Sequence, residues 1–370
     1  MLKYLKKLTL GVEEEYQLID PKTRELTSYI SKILEDGSII FRDEVKPELL
    51  QSQIEIGSKV CLNVNELDLD LNRLRKLVKS YANKNSLEII AAGTHPFSHW
   101  KDQIVTDKER YHGFIDSTQY VGKRMLIFGM HVHVGIEDKD LRIDIMNQMR
   151  YFMPHILALS TSSPFWQGND TGFKSFRSII FEDLPRTGIP EKFSSYKDYE
   201  AYTETLIKCN TIDDATKIWW DIRPHSIYPT LEFRICDSCT KMQDALSIAA
   251  LIQALVAKLI ILRNSNQKWR NYRRSLIHEN KWRATKQGIN SKLLDLGKIK
   301  EVSYKNLMYE MLDFIDEVVD DLGSRKYIDN IKNIIKNGTS ADKQLKIYNK
   351  KNNIKDVVDY LIKATASDIR

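Results

Sequence analysis

Glu13 and Glu15 stand two residues apart in "TLGVEEEYQLI", as do His131 and His133 in "MLIFGMHVHVGI" and Glu232 and Arg234 in "YPTLEFRICD". In a strand, residues i and i+2 point to one face and lie roughly 7 Å apart. Each pair therefore shares a face, with Glu14 opposite the first and Val132 and Val134 opposite the second. In "PELLQSQIE", Gln51, Gln53 and Glu55 line one side, and Glu48 sits just ahead of them. Placed in one sheet, these four segments give it a polar face with at least four carboxylates, two imidazoles and an arginine. Carboxylates crowded in this way repel by several kcal/mol unless they are protonated or countered by cations. Divalent metal resolves the conflict, and carboxylates with one or two histidines suit Mg²⁺ or Mn²⁺. Mg²⁺ held by few protein ligands leaves positions for phosphate oxygens, which a guanidinium such as that of Arg234 grips in two places.

Each residue also has a plainer reading. Glu14 faces solvent or a salt-bridge partner, and His133 is open to a core or supporting role. A competing metal pattern is the His-x-His-x₃-Glu of "HVHVGIE", which matches a cupin-like barrel. Against it, Glu137 begins the turn "EDKD", and no later turn carries a spaced histidine. The C-x-x-C of Cys236 and Cys239 lacks the second pair that a zinc site needs, so packing is its expected role.

The elements that must position these residues alternate without a regular βαβ rhythm, which points to an α+β fold. Strands are expected at "TLGVEEEYQLI", "LLQSQIEIG", "LEIIAAGTHPF", "MLIFGMHVHVGI" and "YPTLEFRICD". "ELDLDLNRLRKLVKSYANKN" reads as an amphipathic helix capped by Asn65, and "IDIMNQMRYFMPHILALSTSS" as one continuous helix. No repeat or linker divides the chain, so residues 1–370 are expected to form a single catalytic domain with a helical portion over about 302–370. A content of 42% hydrophobic and 29% charged residues over 370 positions suits a water-soluble chain with ample core. Four cysteines make no disulfide framework, and "MLKYLKKLTLG" has no apolar signal region, so a cytoplasmic location is expected. "ALSIAALIQALVAKLIIL", Ala245 to Leu262, is apolar nearly all round and reads as a buried core helix rather than a membrane span. The net charge of +6 is uneven: Arg263 to Lys300 holds eleven Lys/Arg against Glu279 and Asp295. Such a run faces nucleic acid, a polyanionic small molecule or solvent, and composition does not choose.

With these residues in hand, the chain resembles the carboxylate–amine ligases related to type 2 glutamate–cysteine ligase. The matching blocks include "LGVEEEYQLID", "ELLQSQIE", "AAGTHPF" with "ERY", "GMHVHVGI", "SSPFWQGNDTGF", "RSIIFEDLPRTG", "WWDIRPH", "TLEFRICD" and "NGTSADKQL" with "VVDYLI", in order from about Leu8 to Ala364. The resemblance implies a glutamine synthetase-like catalytic domain. Its mostly antiparallel β-sheet forms the active site on the polar face, with helices on the other. It implies ADP-forming, ATP-dependent joining of an amino-acid carboxylate, glutamate in the best-known members, to an amine such as cysteine.

Carried over position by position, the resemblance makes Glu13, Glu15, Glu48, Glu55, His131 and Glu232 metal ligands around Mg²⁺–ATP. Arg234 then contacts the transferred phosphoryl group, and Glu55 counts with it as catalytic. Arg177 and Arg223 are expected on the substrate carboxylate or the nucleotide phosphates, with Thr94 and His95 lining the same cleft. The block "NKWRATKQG" departs from the family, reading Lys286 and Gln287 before Gly288 where Arg-Tyr is usual. Lysine keeps the charge and loses the bidentate fork. The basic segment from Arg263 is expected to border the ATP cleft, so no nucleic-acid partner is expected. The alternative is a nucleotide- or nucleic-acid-binding protein that keeps the fold without turnover. No membrane partner is expected, and exposed sheet edges are compatible with a homodimer, though the sequence does not fix the oligomeric state.

Overall fold

A computed structural model describes residues 7–30 and 44–370. Its centre is an antiparallel sheet of seven strands: β1 (Leu10–Ile19), β2 (Val45–Pro47), β3 (Gln53–Gly57), β4 (Glu88–Ile90), β5 (Gly129–Gly135), β6 (Ile222–Pro224) and β7 (Thr230–Asp237). The order is β6-β7-β5-β1-β3-β2, and β4 pairs with the end of β1 from Gln17 to Ile19. One face is apolar: Val12 lies opposite Val132, Val132 opposite Phe233, and Tyr16 opposite Ile54, all fully buried or nearly so. Branched and aromatic side chains at every second position are what a pleated, one-sided sheet packs best.

Helices cover that apolar face. They are α1 (Val64–Lys84), α2 (Glu109–Thr118), α3 (Lys139–Met149), α4 (Met153–Ser160), α5 (Phe176–Glu182), α6 (Met242–Asn264) and α7 (Arg274–Gln287). Four more follow: α8 (Tyr304–Val319), α9 (Arg325–Asn337), α10 (Ser340–Lys351) and α11 (Ile354–Ala366). Of these, α1, α3, α4 and α6 pack directly on the sheet, α7 packs on α4 rather than on the sheet, and α2 and α5 lie beside the polar face. Helix α1 buries Val64, Leu67, Leu71, Leu74 and Val78, the spacing of one helical face. Its cap is Asn63, whose side chain accepts from the N–H groups of Asn65 and Glu66, two residues before the cap expected. The continuous helix expected after β5 is instead broken at Arg150–Phe152, a tighter 3₁₀ turn that leads into α4 with Pro154 in its first turn.

Among the described residues one helix is long and apolar enough to cross a membrane, α6, and it is enclosed by the sheet and its neighbouring helices. Tyr304, Met308 and Ile315 of α8 and Ile331 of α9 join the same core as the sheet. Val357, Val358 and Leu361 of α11 close over Ile19 and Ile90 at its end.

A bulge in β7 lies between Phe233, opposite Val132, and Cys236, opposite Met130. The extra residue turns Cys236 to the core side, where it joins Cys239 in the apolar cluster. Burial pushes the Cys236 thiol up to about 12 and the Cys239 thiol well above the usual range, so neither is a nucleophile at neutral pH. Cys61 is buried too, and Cys209 is exposed. A thiol reagent is therefore expected to titrate one cysteine per native chain and all four after denaturation. Rapid labelling of Cys236 or Cys239 in the native protein would count against this packing.

Candidate active site

The cross-strand register assembles the polar face. Glu13 lies opposite His131, Glu15 opposite Glu55, and Glu232 opposite both His133 and Arg223. Residues directly opposed share a face, so all of these side chains emerge on one side. Glu14 emerges on the other, where it is fully buried and salt-bridged to Arg75 rather than solvated.

The tightest cluster is Glu13, His133 and Glu232, with one potential ligand atom from each within 4.8 Å of the others. His133 Nδ1 is 3.1 Å from Thr230 Oγ1, while its Nε2 is buried without a hydrogen-bond partner, 3.7 Å from Glu13 Oε1. A proton on Nδ1 shared with Thr230 leaves the Nε2 lone pair free to bind a metal. The imidazole in the cluster is thus His133, whereas the resemblance singled out His131. His131 Nδ1 hydrogen-bonds Glu13 Oε2 at 3.0 Å and lies 3.4 Å from Arg234 Nη1. Glu232 is gripped by Arg223, at 2.8 Å to its Nε, and by Arg234.

The electrostatics divide the carboxylates into two groups. Burial opposes the charge on Glu13, but His131 and His133 more than offset it and hold the carboxyl well below its usual range. Glu232 is likewise held low against burial by Arg234 and Arg223. Burial and the neighbouring Glu48 raise Glu15 to about 7, even though Arg177 and the Gly129 N–H pull it down. Burial together with Glu48, Glu13 and Glu15 pushes Glu55 well above the carboxylate range. Two ionised carboxylates, Glu13 and Glu232, beside an imidazole nitrogen without a hydrogen-bond partner fit a divalent cation.

Glu13, Glu15, Glu48, Glu55, His131, Arg223 and Arg234 line one wall of a cleft of about 700 Å³, and Glu13 links that wall to His133 and Glu232. Helix α2 supplies Arg110, Tyr111 and Phe114, α5 supplies Arg177 and Phe181, and Trp219 meets the ring of Phe114 edge to face at 5.7 Å. Arg177 donates to the carbonyls of Arg234 and Ile235 in the β7 bulge. It fits only because position 129 is glycine: a Cβ there would sit 2.5 Å from its Nη2. The Nε atoms of Arg177 and Arg234 are buried without partners. Behind them Lys281 Nζ lies 2.6 Å from both Asp221 Oδ2 and Glu182 Oε1, and the Asp221 carbonyl accepts the Arg234 N–H at 2.8 Å. This ion triad ties α5, α7 and the arginine-bearing strand together.

Some expected residues lie elsewhere. Thr94 Oγ1 donates to the Phe165 carbonyl, and neither Thr94 nor His95 lines the cleft. Lys286 is exposed at the end of α7, and no residue from Arg263 to Lys300 lines the cleft. Arg223 does line it, but its guanidinium is spent on Glu232 and on the carbonyls of Thr216 and Ile218.

His95 is a turn staple. One ring nitrogen donates to the Arg24 carbonyl and the other accepts from the N–H groups of Phe97 and Ser98. Burial holds its pKa down to about 3 from 6.5, so the folded ring stays neutral where the unfolded one gains a proton. Its stabilising effect is complete above pH 6.5 and drains as pH falls from there towards 3, at up to about 1.4 kcal/mol per pH unit. Urea midpoints of the wild type should therefore fall more steeply than those of His95→Gln across this range. Parallel curves would disprove the burial of a neutral ring.

The sequence profile of glutamate–cysteine ligase family 2 matches residues 9–360. A Herpetosiphon aurantiacus protein named "Putative glutamate--cysteine ligase 2" is 52% identical over 361 residues, covering 98% of this chain and 94% of its own. One of the same name from Roseiflexus castenholzii is 50% identical, covering 98% and 95%. Among solved structures, the glutamate–cysteine ligase of Francisella tularensis in complex with AMP superposes with a TM-score of 0.73. It is 14% identical, and the match covers 99% of this chain and 91% of that one. At that identity the likeness speaks to the fold, and the identities near 50% speak to the family. The chain belongs to glutamate–cysteine ligase family 2 and is an ATP-dependent ligase that forms a carbon–nitrogen bond.

Proposed function

We propose that the enzyme transfers the γ-phosphate of ATP to the carboxylate of a small amino acid, with glutamate the leading candidate. An amine such as cysteine then displaces phosphate from the acyl phosphate, so ADP and phosphate leave. Direct amide formation in water is uphill and expels oxide, a poor leaving group, and the acyl phosphate removes both obstacles. The observation that carries this reading is the meeting of Glu13, His133 and Glu232 in one cluster, from which Glu13 also reaches the cleft that Arg234 lines.

Each group has a role in this reading. Glu13, His133 and Glu232 would hold a divalent cation, with Glu15, Glu48 and Glu55 beside them; bound there, Mg²⁺ or Mn²⁺ would supply charge neutralisation for the ATP phosphates. Arg234 and Arg177 present unpartnered Nε–H groups beside the cleft, suited to the negative charge that spreads over a phosphoryl group in transfer. Arg223 keeps Glu232 in place, and the Lys281 triad keeps Arg177 and Arg234 in place. No side-chain nucleophile is required, in keeping with the inert Cys236 and Cys239. The phenyl and indole walls at Phe114 and Trp219 keep water from the acyl phosphate.

The test is ADP release with Mg²⁺–ATP, L-glutamate and a panel of amines that includes L-cysteine. Release is expected to require both substrates, and ¹⁸O from the glutamate carboxylate should appear in the released phosphate. AMP and pyrophosphate in place of ADP would overturn the acyl-phosphate route. Release with an amine other than cysteine would keep the ligase and change its substrate.

A further inference from the structure

The basic segment that the catalytic cleft leaves unused borders a second cavity. It has a volume of about 470 Å³, lies between α4, the coil before α7 and α8, and shares no lining residue with the catalytic cleft. Its wall is aromatic. Trp269 packs 5.5 Å from Tyr151, 5.0 Å from Phe152 and 5.1 Å from Phe314, and Tyr272 lies 5.3 Å from Tyr151.

An aromatic box by itself suits either a flat ring or a quaternary ammonium. The charges around this one decide between them. Asp295 and Glu310 share Lys298, at 3.3 and 2.7 Å, and with Lys268 and Arg270 the lining holds three cations against two carboxylates, a net positive charge. Lys268 and Arg270 line the same cavity and form an ion pair with no carboxylate among the described residues. Two unpaired cations repel an ammonium and attract an anion. The loop that bears Lys298 is also strained: Ile299, a β-branched residue, is held at φ +51° and is 91% exposed. Such backbone is uncommon outside glycine and asparagine, and it gathers at ligand-clamping loops.

We propose that this cavity is a second ligand site, separate from the reaction centre, for a planar aromatic ring that carries an anionic group. The ring stacks against Trp269 and Tyr151, and the anion meets Lys268 and Arg270. Nucleoside phosphates and aromatic carboxylates share that chemistry.

The test is isothermal titration of the full chain in EDTA with AMP, indole-3-acetate, adenosine and acetate. It uses the wild type, Arg234→Ala to report on the catalytic cleft, and Lys268→Glu/Arg270→Glu. Both lysine and arginine are exposed, so the double variant should fold, and unchanged ADP release checks that it has. At least one of AMP and indole-3-acetate is expected to show a binding component that Arg234→Ala keeps. The double variant should weaken that component by about tenfold or more, or about 1.4 kcal/mol. AMP alone would mark a nucleotide site, and indole-3-acetate alone an aromatic-carboxylate site. Absence of any component sensitive to the charge reversal, or adenosine or acetate binding as tightly as the aromatic anions, would overturn the proposal.

Discussion

Glu13→Gln is expected to lower ADP release by about 10³-fold or more while leaving the chain folded. Glutamine is isosteric and can still meet His131 across β1 and β5, and the native carboxylate is 28% exposed, so its loss leaves no deeply buried charge stranded. What it removes is the formal charge beside His133 Nε2 and Glu232 that would help hold a divalent cation. Thermal stabilisation gives a second reading that does not depend on turnover. In the wild type, ATP with Mg²⁺ should raise the melting temperature more than ATP with EDTA, and in Glu13→Gln the two increments should converge. Near-native ADP release by the variant with Mg²⁺ would sink the metal assignment. Glu232→Gln should lose activity as completely, but it also strips the partner from the buried Arg223 and Arg234 and so should melt earlier. The contrast between two glutamates expected to share one role follows from burial, 1% exposed against 28% for their side chains.

How much of this was legible in the sequence depends on the range of the information each residue needs. The period of two is local, so it correctly separated Glu13 and Glu15 from Glu14, and it placed His131, His133, Glu232 and Arg234 on one polar face. Which histidine joins Glu13 and Glu232 in one cluster is not local. Both share that face, and the choice rests on register: β5 sets His133 opposite Glu232 and His131 opposite Glu13. Thr230, 97 residues away in sequence, then orients the His133 ring. Lys281 is hidden for the same reason. Within a run of eleven basic residues nothing marks the one whose partners, Glu182 and Asp221, come from other elements. Charge density drew attention instead to the exposed Lys286 and to a segment that borders a different cavity. Turn chemistry misled at "AAGTHPF", because a histidine in a turn next to a strand end resembles a cleft residue until its three backbone partners are seen.

Arg75→Met should be the most destabilising single change outside the site, at about 3–5 kcal/mol. The Arg75 guanidinium is fully buried and grips both oxygens of Glu14, at 2.9 Å from Nε and 2.5 Å from Nη2, and it also donates to the carbonyls of Thr240 and Cys239. Removing it strands a carboxylate in the core with only the Tyr16 hydroxyl for company. Against a total stability of about 5–15 kcal/mol, that loss should leave a measurable unfolded fraction at 37 °C. Replacing both partners, as in Glu14→Leu/Arg75→Met, should recover most of it, because an apolar pair of similar volume does not carry the desolvation cost. A single variant within 1 kcal/mol of the wild type in urea unfolding would show the pair to be idle. The ion pair also bears on function through register. A one-residue slip of β1 would send Glu13 and Glu15 into the core and Glu14 into the cleft, and it would also expel Leu10, Val12, Tyr16 and Leu18 from the core. Arg75 on α1 reinforces that register by demanding the middle carboxylate. The double variant, stable but lacking that demand, is therefore expected to lose ADP release along with the single one if the strand slips, and to keep it if the apolar pairing of Val12 with Val132 holds the register alone.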